Sequence, residues 1–306
     1  MNEALILGWN IGLVGHGRWG RVHLTTLLDL KEIGLVSRIC VCDTSPERIA
    51  NLPQGVDATY LSTHDMLGQE RLDAAAIVTP ANTHLSVAHE LLAQSIPCLI
   101  EKPMSESCET TLKFLNESTN DSRVMIGYLL RHHPGITTVH NELQHPEWGG
   151  PLHFHYTRHI TRPAPKNRLA IDELGLHGID LAGFLFEQDV READTKTIRM
   201  SPEQAIVELT FPNSSVALID VAWGASSEQK SFMIRSSNQL MEGHLDNYES
   251  IIIQNQSTQR IRKTLISTTP LFNEWKTFLS CLKQSPEQWA RNLEHVRCLA
   301  AWRHEL

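Results

Sequence analysis

The sequence predicts an α/β domain on a parallel, doubly wound sheet, followed by an α+β domain with an antiparallel sheet. Two observations predict the first part. Short apolar runs alternate with helical patterns through the first 123 residues, and a glycine-rich turn directly follows the first run. A third predicts the second part: after residue 193 strand-like runs follow one another with only turn-rich spacers between them.

The elements follow in order. "NIGLVG" is strand-like, and residues 18 to 30 read as a helix with Val22, Leu24, Leu27 and Leu28 inward. "SRICVCD" is a second strand that ends in an acid. "LDAAAIVTP" is a third, stopped by Pro80, which has no amide proton for a sheet ladder. "THLSVAHELLAQS" is helical, with Leu85, Ala88, Leu91 and Leu92 on one face. "PCLIEKP" is a further strand, a helix follows from about Ser105, and "RVMIGY" is another strand. The character changes near residue 125, so the domains are read as 1–123 and 124–306. The second opens with a helix over about 135 to 144 and a polar strand at 151 to 161, followed by the helix of "IDELGLHGID". Then come "AIVELTF", "SVALIDVAW", "SFMIRSS", "QLMEGH" and "SIIIQ". Leu218, Val221, Trp223, Phe232 and Ile234 read as an apolar face that covers helices. Two helices close the sequence, the last with Trp289, Leu293, Val296 and Ala300 at helical spacing.

Composition narrows the function classes. In 306 residues, 41% are hydrophobic and 20% charged, as in ordinary globular proteins, and the formal net charge is −8. With no Lys/Arg-rich run, a nucleic-acid or anionic-membrane surface is not expected. Six cysteines lie scattered among apolar residues without a C-x-x-C pair, which predicts reduced thiols and a cytoplasmic protein. The apolar N-terminus lacks a basic region and runs straight into a glycine motif, so it is not read as a signal peptide, and no apolar segment is long enough to cross a bilayer.

"GLVGHGRWGRVH" sets Gly15-x-Gly17-x-x-Gly20 between a strand and a helix, with Arg18 and Trp19 inside the turn. The first glycine serves the tight turn, the second lets backbone approach a pyrophosphate, and the third lets helix and strand pack closely. The phosphate then sits at the positive helix N-terminus. Asp43 ends the next strand, where a carboxylate accepts ribose hydroxyls and repels a 2′-phosphate. NAD is therefore favoured, with NADP kept open by Arg48. "IEKPMS" places Glu101, Lys102 and Pro103 at the C-terminal end of a parallel strand, the edge outside which ligands bind in such sheets. In "IDELGLHGID", Glu173, His177 and Asp180 fall four and three residues apart, on one helical stripe. The histidines of "HFHYTRH" and His132-His133 invite a metal reading, but no cysteine or carboxylate is spaced with them, and no metal site is assigned.

The order G-x-G-x-x-G, strand-end Asp, "TP-x-x-x-H" (Thr79, Pro80, His84), "EKP" and G-x-H-x-x-D resembles the glucose–fructose oxidoreductase/inositol dehydrogenase (Gfo/Idh/MocA-type) family over nearly the whole sequence. The resemblance implies a Rossmann domain followed by an α+β domain with a large, mostly antiparallel sheet. It implies NAD or NADP as cofactor and oxidation or reduction of a carbinol carbon in a sugar, cyclitol or relative. The family's catalytic lysine falls on Lys102 and its histidine on His177. Thr79, Pro80 and Asn82 fall beside the nicotinamide, with His84 in the same motif, and Glu101 falls on the acid next to the lysine. Arg131 in "GYLLRHHP" matches an arginine that often follows the linking strand. With Tyr128, Arg158 and Asp180 it is assigned to the substrate. The family commonly has D-x-G-x-H where this sequence has E-x-G-x-H, so Glu173 marks a departure that alters the substrate pocket. Dimers or tetramers through the late sheet are the family's habit.

The chemistry expected is hydride transfer between a nicotinamide and a carbinol or keto carbon of a small polyhydroxylated substrate: a sugar, cyclitol, sugar acid or nucleotide sugar. His177 is the expected base, since imidazole titrates near neutrality. Lys102 would hydrogen-bond the reacting oxygen, and Glu173 would orient substrate hydroxyls or His177. Arg158, with Arg162, Lys166 and Arg168, would greet an anionic substrate. Two other readings stand beside this one: a nucleotide-binding sensor without turnover, and glycoside cleavage through a transient keto intermediate on tightly held NAD.

Overall fold

The structure is a computed structural model that describes residues 8–117, 123–166, 168–247, 249–255, 258–263 and 268–306, with backbone alone at 286, 287 and 290–292. Residues 1–7 of the apolar N-terminus and Asn167 of "TRPAPKN" lie outside the described residues. The chain divides into two compact units. One runs to Gly127 and takes in Glu274–Ala300; the other comprises Tyr128–Asn273 with Ala301–Leu306.

The first unit starts with β1 (Trp9–Val14), α1 (Arg18–Glu32), β2 (Val36–Cys42), the short α2 (Pro46–Ile49), β3 (Ala58–Tyr60) and α3 (Thr63–Gln69). It continues with β4 (Ala74–Ile77), α4 (Ala81–Ala93), β5 (Cys98–Glu101), α5 (Cys108–Glu117) and β6 (Val124–Gly127). Its six strands lie in the order β3-β2-β1-β4-β5-β6, all parallel, so every strand's C-terminal end falls on the same edge. β4, β5 and β6 are buried throughout, as strands covered on both faces must be, and their unbroken apolar runs made them legible. The order reverses between β1 and β4. That switch point leaves a crevice at the carboxyl edge.

In α1 the stripe turned inward is Gly20, His23, Leu24, Leu27 and Leu30, spaced three and four apart. Val22 is 40% exposed and Leu28 only half-buried, which corrects the inward set read from the sequence. The reason is angular: Val22 falls on the side of α1 away from the stripe, while the polar His23 lies on it. α5 begins at Cys108, three residues later than the spacing suggests.

The second unit holds α6 (Pro134–Leu143), β7 (His153–Ile160), α7 (Leu176–Phe186), β8 (Asp194–Met200), β9 (Gln204–Thr210), β10 (Val216–Trp223), β11 (Gln229–Arg235), β12 (Gln239–His244), β13 (Ser250–Asn255) and β14 (Gln259–Lys263). α8 (Pro270–Cys281) and α9 (Pro286–Glu305) end the chain. The eight strands lie in the order β14-β13-β12-β11-β7-β10-β9-β8, antiparallel except for β7 beside β10. β14 was not legible because its polar "QRIRK" is exposed at every position and gives no alternation.

Phe154, Tyr156, Ile219, Val221, Phe232 and Ile234 share the covered face of this sheet. A Cβ on Gly178 would meet the Tyr156 ring at 2.6 Å, so the α7 backbone lies directly on that face. Leu218 has the opposite parity, pairs with His155 and is only half-buried. It belongs to the other face, a correction that follows from the two-residue period of a strand. Five of the six cysteines are buried. Among the described residues no helix is long and apolar enough to cross a membrane.

Candidate functional site

The glycine turn is built for close approach. A Cβ on Gly20 would lie 2.1 Å from the Gly15 carbonyl oxygen, and one on Gly15 would lie 2.6 Å from the Val78 carbonyl oxygen. Gly15 also has φ +97°, which L side chains rarely adopt. A Cβ on Gly17 would meet nothing within 4 Å. The turn thus leaves open space at the N-terminus of α1, where backbone N–H groups favour an anion. A dinucleotide pyrophosphate fits these residues.

Asp43 follows β2 on the same edge. Its carboxylate accepts the backbone N–H of His16 at 2.7 Å and of Ser45 at 2.9 Å, and Arg48 Nη1 lies at 3.5 Å. Burial alone would raise its pKa. The Ser45 and His16 amides and the Arg48 guanidinium outweigh burial and hold it below the ordinary aspartate value. His16 Nδ1 lies 2.8 Å from the Arg48 carbonyl oxygen, so the second residue of the glycine motif pins the segment that follows Asp43.

Thr79 and Pro80 lie between β4 and α4, with Asn82 exposed in the first turn of the helix. His84 is buried, with Nε2 2.7 Å from the Thr79 carbonyl and Nδ1 3.0 Å from that of Pro103. It joins the segment after β4 to the segment after β5, and burial lowers its pKa. Glu101 ends β5. Its Oε1 accepts Trp19 Nε1–H at 2.6 Å and His23 Nε2–H at 2.8 Å, and its Oε2 accepts the backbone N–H of Lys102 at 3.2 Å. Lys102 is half-buried and precedes a cis peptide to Pro103. Arg18 is exposed beside the glycine turn.

The second unit assembles its own set. Residues Ile171–Gly175 form a turn of π-helix, closed by the Leu176 amide on the Ile171 carbonyl, before α7 begins. Wider turns of this kind recur at functional sites. Glu173 therefore sits on the π-turn, not on the regular helix that the spacing suggests. Its Oε1 accepts Arg168 Nη1–H at 2.6 Å. His177 is 3% exposed, and the edge of its ring meets Tyr128 at a centroid distance of 6.4 Å. Asp180, one turn further, accepts Arg131 in bidentate fashion, Nε–H at 2.8 Å and Nη2–H at 2.7 Å. Burial pushes the Asp180 carboxyl upward and the Arg131 guanidinium opposes that push. Arg131 also lies over the Phe184 ring at 5.1 Å.

The structure thus brings Tyr128, Arg131, His177 and Asp180 together, and spends Arg131 on Asp180. Arg158 shares the covered face of β7 with Phe154 and Tyr156. Arg162 stacks on Trp223 at 4.9 Å, and Lys166 is exposed.

Sequence reasoning missed four residues. His23 falls three residues after Gly20, on the stripe that packs against the sheet, and that spacing alone could have found it. Trp275 donates to His23 Nδ1 at 3.2 Å. Glu274 is fully buried and falls on the stripe of Leu271, Trp275 and Phe278. Arg168 was noted only as one of four cations around a loop, not as the partner of Glu173.

A crevice at the switch point of a parallel sheet, a glycine turn and a strand-end carboxylate define a dinucleotide-binding α/β fold. Residues 9–128 match the family described as "Oxidoreductase family, NAD-binding Rossmann fold", the Gfo/Idh/MocA family. The match spans β1 to β6, the parallel sheet of the first unit. The chain is similar to UDP-N-acetylglucosamine 3-dehydrogenase of Acidithiobacillus ferrooxidans, 28% identical over 214 residues, 67% of this chain and 64% of the relative. It is also similar to inositol 2-dehydrogenase 4 of Saccharopolyspora erythraea, 25% identical over 67% of this chain and 58% of the relative. The match thus spans less than two thirds of these relatives' length.

The fold likeness runs further. The solved structure of the Acidithiobacillus enzyme superposes with a TM-score of 0.78 over 98% of this chain and 96% of that one, at 21% identity. A 3-ketoreductase from Actinomadura kijaniata, in complex with TDP-benzene and NADP, gives a TM-score of 0.75 over 96% of each chain at 17% identity.

Proposed function

We propose that this protein is an NAD-dependent oxidoreductase acting on a carbinol or keto carbon of a small polyhydroxylated substrate: a sugar, cyclitol, sugar acid or nucleotide sugar. The observation that carries the reading is the glycine turn, whose open space at Gly17 and forced glycines at Gly15 and Gly20 fit a pyrophosphate. The match of residues 9–128 to an oxidoreductase family supports it, and so do the dehydrogenase relatives, named for a nucleotide sugar and an inositol.

The first unit binds the dinucleotide. The amides at the start of α1 hold the phosphates, and Asp43 accepts the adenosine ribose hydroxyls. The Asp43 charge disfavours a 2′-phosphate, with Arg48 beside it as a local counterweight. Thr79, Pro80, Asn82 and His84 line the nicotinamide side. When bound, the nicotinamide supplies the hydride acceptor or donor. His177 takes the carbinol proton on a ring nitrogen, and the Lys102 ammonium hydrogen-bonds the same oxygen as negative charge develops on it. Glu173, steadied by Arg168, orients substrate hydroxyls. Arg131 and Asp180 hold the substrate side of α7 in place beside Tyr128. The division of labour follows the sequence boundary, 1–123 for the dinucleotide and 124–306 for the substrate, with Glu274–Ala300 returning to the first unit. We further propose a cytoplasmic homodimer or homotetramer, paired through the face of the eight-stranded sheet that carries Leu218 and His155.

The test is to titrate NAD and NADP by calorimetry, then screen polyols, sugars, sugar acids and nucleotide sugars at the nicotinamide absorbance. Tight binding of NAD with turnover of one of these classes supports the reading. Failure to bind either dinucleotide ends it, and binding without turnover on any class leaves the sensor reading in its place.

A further inference from the structure

Glu101 is held as a carboxylate that merely filled space would not be. It is 8% exposed and takes three N–H donors from two segments far apart in sequence: Trp19 and His23 on Oε1, and the Lys102 peptide on Oε2. A fourth group fixes the arrangement. Trp275 Nε1–H donates to His23 Nδ1, so the ring proton lies on Nε2 and points at Glu101. The two indoles meet the His23 ring edge-on, each at 5.9 Å between centroids. Gly127 keeps the space clear, since a Cβ there would approach Oε1 to 3.2 Å. Apolar residues would fill the same volume without the cost of burying a carboxylate.

The placement of the donors matters more than their number. Trp19 lies inside the glycine turn, between Gly17 and Gly20, and His23 lies one helical turn later on the same helix. The acceptor's other oxygen holds the peptide of Lys102. A shift of the turn is therefore felt at Oε1, and a shift of Glu101 is felt at the lysine.

We propose that Glu101 is a positioning residue that ties the Lys102 segment to the dinucleotide turn through Trp19 and His23, so that filling the turn and placing the lysine are coupled. The proposal rests on the dinucleotide reading above. It assigns Glu101 and Trp19 to each other. His23 is fully buried, so any effect of it on dinucleotide affinity is transmitted through Glu101 and the turn.

The test compares wild type with H23L, H23Q and E101Q. Leucine removes both hydrogen bonds of His23, whereas the glutamine amide can donate to Glu101 and accept from Trp275. Three quantities are read: NAD affinity by calorimetry, melting temperature, and the pH profile of Lys102 acetylation by acetic anhydride, followed by mass spectrometry in the NAD-free protein. H23L and E101Q are expected to weaken NAD about tenfold, as loss of a hydrogen bond to a charged group does, and to shift the Lys102 profile. H23Q is expected to restore both to within about twofold. If H23L and E101Q lower the melting temperature but leave NAD affinity and the Lys102 profile within twofold of wild type, Glu101 is structural only and the proposal falls, while the dinucleotide reading stands. If wild type binds neither dinucleotide, both fall together. Should H23L or E101Q fail to fold, W19F removes one donor at a half-buried site, and the same two readouts decide.

Discussion

Lys102 carries two separable duties, one on its side chain and one on its peptide. The ammonium is assigned to the reacting oxygen, and the peptide N–H is held by Glu101. Lys102→Ala removes only the first. It is expected to lower kcat by about 10²–10³-fold while leaving NAD affinity within about threefold of wild type. Turnover at the wild-type rate would remove the lysine from the chemistry. Glu173 is a second residue whose meaning changed. In the sequence it was a departure from a D-x-G-x-H pattern, and in the structure its longer side chain reaches Arg168. Glu173→Asp shortens that reach by one methylene. Altered kcat/KM confined to some substrate classes would place Glu173 in the pocket, and a uniform change across all of them would not. The spacing of Glu173, His177 and Asp180 was legible, but their partners were not, because Arg168 and Arg131 come from outside the motif.

At the scale of elements, periodicity revealed what was covered on both faces or alternated cleanly, and it missed what was short or exposed at an edge. β4 and β6 are apolar throughout and β5 is apolar up to Glu101, whereas β3 has three residues and β14 is polar at the rim of its sheet. The start of α6 shows a device that sequence rules do not anticipate. His133, completely buried, occupies the cap position, and its Nδ1 accepts the amides of Gly135 at 3.0 Å and Ile136 at 3.4 Å. Burial lowers its pKa to about 4. Because the folded pKa lies below the unfolded value of 6.5, the unfolded chain takes up the proton first. Stability attached to this group is complete above about 6.5 and is lost as the pH falls toward 4, by up to about 3 kcal/mol. Asn caps helices well and does not titrate. His133→Asn is therefore expected to flatten the acid limb of stability between pH 6.5 and 4, measured by urea unfolding at several pH values. An unchanged slope would show that other groups set that limb.

At the scale of the whole molecule, the chain returns to its first unit late. Residues 274–300 rejoin strands laid down at the start, and the return buries Glu274 completely, with neither carboxyl oxygen hydrogen-bonded among the described residues. Burial, with the charge of Glu101 nearby, raises its pKa well above 4.5. The folded state then keeps a proton that the unfolded chain has already released, so stability falls as the pH rises above about 4.5. Glu274→Gln keeps the shape without the ionisation. The variant is expected to gain on wild type as the pH rises above about 4.5, by more than about 1.4 kcal/mol, the worth of one pKa unit. Parallel stability curves would refute a protonated Glu274.

The sequence by itself determined the parallel sheet and the glycine turn with its strand-end acid, whereas Lys102 and His177 became candidates through the family resemblance. Sheet and turn depend on local chemistry: alternation of apolar runs, positions where a Cβ cannot fit, and residues at the ends of strands. Only the tertiary structure decided that Trp19 and His23 turn inward to Glu101, that Arg131 is spent on Asp180, and that "IDELG" opens as a π-turn. The first two outcomes depend on hydrogen bonds between residues dozens apart in sequence, and on burial that follows from where distant segments come to rest. No pattern within a few turns of chain carries the Trp19–Glu101, His23–Glu101 or Arg131–Asp180 pairing.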